Sequence, residues 1–143
     1  ATVLEAMSAY CCSESVTDDQ KEFVNKLCSS FGKVMPLSES YFPLFCSIAG
    51  CAPAYAYMFI DSLARSAVKN GMNKSVALEI AAQTVLGSAK KILESDEHPW
   101  ELIDKVCSPG GTTIEGIVSL QKDGFESAVC NAVDAALQKD KKV

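Results

Sequence analysis

A chain of 143 residues, 48% hydrophobic and 22% charged, is long enough for one folded domain with a sizeable core, and that balance argues against disorder. A net charge of −5, with 13 scattered Lys and Arg, provides no basic face for a phosphate backbone, so nucleic acid is not expected as a partner. Seven cysteines without a Cys-x-x-Cys pair, and a single histidine, His98, point to neither a disulfide framework nor a metal site.

The cysteines read as small core hydrophobes in a reducing cytosol, which sets a cytoplasmic expectation, with an exposed Cys11-Cys12 as the alternative reactive pair. No basic stretch followed by an apolar one opens the chain, so no signal peptide is expected.

Residues 1–12 alternate weakly and fit either an edge strand or a frayed helix. Thr17 to Gln20 forms a capping box, and Phe23, Val24, Leu27, Cys28 and Phe31 recur at helical spacing, with Gly32 as the stop. Lys33 to Leu37 is short and extended, because Pro36 disfavours the α region for Met35, and it is free to pair with the N-terminal segment. Tyr41 to Ile60 is twenty residues without a formal charge, about the length of a bilayer span. Pro43 near one end and Ala49-Gly50-Cys51-Ala52-Pro53 in the middle predict instead a short helix, a turn of small residues and a new helix with Pro53 in its first turn, so a membrane is not expected as a partner.

From Pro53 to Asn70 the apolar residues at first cover almost the whole helical circumference, as in a helix buried on all sides. Asn70-Gly71 ends that helix, Asn73 caps the next, and Leu78, Ala81, Ala82, Val85, Leu86, Ala89, Ile92 and Leu93 share one face, which Gly87-Ser88-Ala89 leaves thin enough for close helix approach. His98-Pro99 opens a short helix to Val106, with His98 as its cap. Asp96 and Glu97 read as a solvated acidic pair, and helices near 113–123 and 125–139 flank Gly124. The charged tail from Lys139 to Lys142 reads as solvated. The sum is an all-α bundle of five to six helices with room for a short N-terminal strand. So apolar a small chain has more surface of the buried type than one bundle hides, which predicts a subunit interface.

One loop draws chemical interest. Ser108-Pro109-Gly110-Gly111-Thr112-Thr113 is a tight polar turn leading into an apolar-periodic helix, an arrangement that points free amides at the positive end of a helix dipole and suits a carboxylate or phosphate. The same residues fit a plain helix start, since Thr112 and Glu115 satisfy the capping-box spacing. The eight glycines form no G-x-G-x-x-G and no P-loop, and no nucleophile with a histidine base is apparent.

From Pro53-Ala54-Tyr55 through Ala82-Gln83-Thr84-Val85-Leu86-Gly87-Ser88-Ala89-Lys90, His98-Pro99 and Ser108 to Ile114, the sequence resembles the C-terminal dimerisation domain of the pyrroline-5-carboxylate reductases. The resemblance implies an interlocked helical homodimer or higher homo-oligomer. Residues 1–40 would then be the end of the nucleotide domain and its linker, with one helix at 17–31, and residues 41–143 the dimerisation and substrate-carboxylate domain. It also implies reduction of 1-pyrroline-5-carboxylate to L-proline in proline biosynthesis, with NADP or NAD bound by a Rossmann domain absent from these residues. No catalytic residue would then lie within this chain, which should be inactive alone. The turn matching the family's carboxylate loop assigns substrate contacts to Gly111, Thr112 and Thr113, with Ser108 shaping the turn. By the same resemblance Asp96 is the candidate for the ring nitrogen and Lys105 for a cofactor contact. The chain departs from the family's Ser-Gly-Ser-Gly with Ala49-Gly50-Cys51-Ala52, exchanging hydroxyls and a glycine for apolar groups and a thiol. The alternative is a stand-alone helical oligomerisation or binding module, or a diverged paralogue without catalysis.

Overall fold

The computed structural model describes residues 1–140, so Lys141 and Lys142 of the charged tail lie outside the described residues. Two compact units divide the chain: Ala1–Ala52 with the stretch from Val133 onward, and Pro53–Ala132.

The first unit opens with a βαβ element. Strand β1 (Ala6–Tyr10) leads through helix α1 (Asp18–Ser29) to strand β2 (Gly32–Pro36). The two strands pair in parallel, from Ala6 opposite Gly32 to Tyr10 opposite Pro36, as a helical crossover requires. The weakly alternating N-terminal segment is therefore a strand. α1 starts on the expected box: Thr17 Oγ1 accepts from the Gln20 amide at 3.3 Å, and Gln20 Oε1 accepts from the Thr17 amide at 3.0 Å. The helix ends at Ser29, so Gly32 is not its stop but the first residue of β2. A Cβ at Gly32 would collide with the backbone of Ala6, which restricts the position to glycine. An open cleft of about 730 Å³ lies at the carboxyl ends of both strands, lined by Tyr10, Cys11, Cys12, Lys21 and the segment from Pro36 to Glu39.

A helical run follows from Glu39 to Lys69, and it corrects the expected break. A 3₁₀ turn at Glu39–Tyr41 passes into α2 (Phe42–Phe45), a π-helical turn at Cys46–Gly50 and then α3 (Ala52–Lys69). The Cys51 amide donates to the Cys46 carbonyl at 3.2 Å, five residues back. Pro53 has no N–H and its ring crowds the carbonyl four residues earlier, and a widened π turn ahead of it absorbs both defects without ending the run. By length and composition this run is long and apolar enough to cross a membrane.

The second unit holds α3 from Pro53 on, α4 (Lys74–Leu93), α5 (Pro99–Val106), α6 (Thr112–Lys122) and the first half of α7 (Phe125–Asp140). The expected architecture, helical with a short N-terminal strand, is what the structure has. Asn73 caps α4 as expected, its Oδ1 accepting from the Ser75 amide at 2.9 Å. Asp61 on α3 pairs with both Arg65 and Lys74, fastening α3 to the start of α4. The Phe59 and Phe125 rings lie 5.9 Å apart at 49°, and the Tyr55 hydroxyl donates to the Ala132 carbonyl at 3.4 Å.

Among the described residues the only buried hydrophobic side chains are those of Ala64, Ala77 and Ala81. α3 is thus not buried on all sides within one chain, since Tyr57 is 70% and Met58 74% exposed. Nothing comes within 4 Å of where a Gly87 side chain would be, so the close approach expected there is not made within the chain. The cysteines are not core residues either: Cys11, Cys12, Cys46 and Cys130 are exposed, and Cys28, Cys51 and Cys107 half-buried. One physical cause covers all three corrections. Apolar faces patterned for burial have no second layer in a single chain.

Candidate functional site

The candidate site is the passage from α5 to α6. α5 begins on a side-chain box built around His98, whose Nδ1 accepts from the Trp100 amide at 3.2 Å. The Glu101 carboxylate returns the contact, accepting from the His98 amide at 3.0 Å, and Pro99 occupies a first-turn position where its missing N–H is harmless. His98 is therefore the helix cap, as its place before Pro99 implied. At the other end the Cys107 amide closes α5 onto the Ile103 and Asp104 carbonyls at 3.1 and 3.2 Å.

The turn that follows is held by the Gly111 amide, which donates to the Ser108 carbonyl at 2.9 Å. Gly110 sits at φ 68, where an L side chain is strained. A Cβ at Gly111 would collide with Ser108 Oγ. Gly110 is thus required by the turn, a side chain at Gly111 would first have to move Ser108 Oγ, and Ser108 shapes the turn through its carbonyl and its side chain.

α6 then starts at Thr112 with Gly111 as its cap residue and no side-chain cap. The capping box expected from Thr112 and Glu115 does not form. Thr112 already lies inside the helix, one position too late to fold back over the first turn, and glycine has no side chain to do so. Gly111 has its own N–H engaged in the turn, so that amide is not free to donate elsewhere. The amides of Thr112 and Thr113 and their exposed hydroxyls remain at the positive end of the helix dipole.

Asp96 and Lys105 are placed differently. Asp96 is exposed in the loop before α5, while Ser108 follows α5, and the ends of an eight-residue helix lie about 12 Å apart. Lys105, in the last turn of α5, donates to the Glu97 carboxylate. Glu97 is therefore not simply solvated: Ser95 Oγ donates to its Oε1 at 3.3 Å, and its amide donates to Ser95 Oγ at 3.1 Å. The Lys105 hydrogen bond holds the Glu97 carboxyl below its ordinary value of 4.5, against a smaller upward push from burial. The eight-residue spacing of this pair gave no helical-periodicity signal, whereas the His98–Glu101 box was legible as a cap with an acid three residues on. Among the described residues no group of His, Cys, Asp or Glu could hold a metal ion.

Helices with uncovered apolar faces define a helical association domain, one of whose helices, α6, starts without a side-chain cap. The profile of the pyrroline-5-carboxylate reductase dimerisation family matches residues 39–143, and the chain belongs to that family. The pyrroline-5-carboxylate reductase of Glycine max is 37% identical over all 143 residues, which cover 52% of the relative. That of Escherichia coli is 41% identical over 128 residues, or 90% of this chain and 48% of the relative. Among solved structures, the Streptococcus pyogenes 1-pyrroline-5-carboxylate reductase superposes with a TM-score of 0.91 at 41% identity, over 99% of this chain and 54% of its own. The Plasmodium falciparum pyrroline carboxylate reductase, solved with NADP bound, gives 0.87 at 38% identity, over 94% of this chain and 55% of its own. The chain spans about half the length of these relatives.

Proposed function

We propose that this chain is the C-terminal portion of a pyrroline-5-carboxylate reductase, which reduces 1-pyrroline-5-carboxylate to L-proline in proline biosynthesis in the cytoplasm. The observation that carries the reading is the uncapped start of α6 at Gly111, inside the matched family region. A glycine cap forgoes about a few tenths of a kcal/mol relative to a side-chain cap, and a substrate carboxylate seated on the Thr112 and Thr113 amides would more than restore it. Thr113 adds a hydroxyl donor, Gly110 and Gly111 let the ligand approach, and Ser108 holds the turn.

NADP or NAD supplies the hydride that reduces the C=N carbon. The residues of this chain contain no glycine-rich dinucleotide fingerprint and do not fit that cofactor, so its binding is assigned to residues outside them. The βαβ element supports reading residues 1–40 as the end of such a domain, because two-stranded parallel sheets are built into larger ones and the cleft lies at the strands' carboxyl ends, where α/β folds bind ligands.

The uncovered faces of α3, α4, α6 and α7 support a homodimer or larger homo-oligomer. The apolar run from Glu39 to Lys69 then lies in a subunit interface and not in a bilayer.

The test is an assay of the natural protein carrying this chain, with 1-pyrroline-5-carboxylate and NADPH or NADH, together with its mass by light scattering. L-proline formation by a dimer or larger assembly is expected. No L-proline under either cofactor overturns the activity, and a compact monomer overturns the association.

A further inference from the structure

The geometry assigns Glu97 and Lys105 the role of a positioning strut: one ion pair spanning α5 holds the Ser108–Thr113 turn in its carboxylate-receiving shape. This rests on the reading of that turn proposed above and gives Lys105 a task other than cofactor contact.

Three observations support it. Lys105 lies three residues before Ser108, and its ammonium reaches back along nearly the whole helix to Glu97, which directly precedes the His98 cap. The Glu97 carboxylate is not a loose surface acid, because Ser95 holds its other oxygen and its side chain is 31% exposed against 63% for Lys105. The backbone passes from Lys105 to the turn through hydrogen-bonded steps, with the Cys107 amide on Ile103 and Asp104 and the Gly111 amide on Ser108. An isolated two-turn helix is unstable in water. α5 is fastened at its start by His98 and Glu101 and along its length by Glu97 and Lys105, and a frayed last turn would release Ser108 directly.

The pair is part-exposed, so its effect is modest. Breaking it should raise the KM for 1-pyrroline-5-carboxylate about two- to fivefold, the scale of such ion pairs. The KM for the reduced nicotinamide should stay fixed.

The experiment uses the natural protein carrying this chain, with Lys105→Met, Glu97→Gln, the double variant, Lys105→Arg and the charge exchange Glu97→Lys with Lys105→Glu. Expected are equal single effects on substrate KM, a double variant no worse than either, and rescue by Lys105→Arg or by the exchange. Amide exchange over residues 99–113 should quicken in the single variants and recover in the rescued ones. A rise in nicotinamide KM with Lys105→Met alone would overturn the strut in favour of a cofactor contact. Additive effects, or unchanged exchange, would overturn it too. The exchange measurement does not depend on turnover, so a protein without reductase activity refutes the proposed function while still deciding the strut.

Discussion

α5 and α6 are consecutive helices of the same unit, yet they begin in opposite ways. α5 starts on a side-chain box, with His98 Nδ1 accepting from the Trp100 amide and the Glu101 carboxylate accepting from the His98 amide. α6 starts on Gly111 with none. α1 and α4 resemble α5, with Thr17 and Asn73 as their caps. A side-chain cap is worth about 1 kcal/mol over alanine and about a few tenths over glycine, and the chain uses three different residue types for it. An open start at a turn that two glycines keep free of side chains is therefore a place where amides remain available to something other than this chain.

Closing the open start by substitution should have the largest effect. Gly111 lies at φ −80 and ψ 168, the backbone of a capping residue. In Gly111→Asp the new carboxylate would occupy the amides and its Cβ would displace Ser108 Oγ. A loss of kcat/KM of more than about a hundredfold is expected with association retained, since two or more hydrogen bonds to a charged group are forfeited. Steady-state kinetics and light scattering on one preparation check this, and unchanged kinetics would erase the functional contrast between the helices. Thr113→Val removes a single donor. It should lower kcat/KM roughly tenfold to a hundredfold or more, equivalent to about 1.5–3 kcal/mol, and leave the dimer intact.

Opening the closed start should show up in stability. His98→Ala is expected to cost about 1 kcal/mol, a drop in Tm of about 3 °C, whereas Thr112→Ala, which removes no cap, should leave Tm within error. Equal losses from both would mean that α6 is capped after all. The smallest effect concerns Glu97. Its carboxyl is held below the ordinary value by Lys105, so the folded state favours the ionised form. That contribution is present in full above 4.5 and is lost as pH falls through the lowered value. Amide exchange in α5 should quicken across that acid window, and Glu97→Gln should remove the pH dependence.

Local chemistry made much of this legible. The Thr17–Gln20 box, the Asn73 cap and the His98 cap each need only a short polar side chain beside its own helix, so their spacing was enough. Pro53 was correctly placed in a first helical turn, but whether small residues ahead of it break a helix or widen it into a π turn depends on how neighbouring carbonyls are satisfied, which composition does not record. The Thr112–Glu115 spacing met the pattern of a box and still failed, because the helix began one residue earlier than the pattern required.

By itself the sequence determined the helical class, most helix positions, the turn at Ser108–Thr113 and an excess of apolar faces over what one small chain covers, since these follow from periodicity and from backbone preferences of single residues. Only the tertiary structure decided that β1 and β2 run parallel, that Gly111 leaves α6 open and that Lys105 reaches back to Glu97. These are relations between residues distant in the chain, or a one-residue choice of where a helix begins, and both are settled by which hydrogen bonds can be made at the same time.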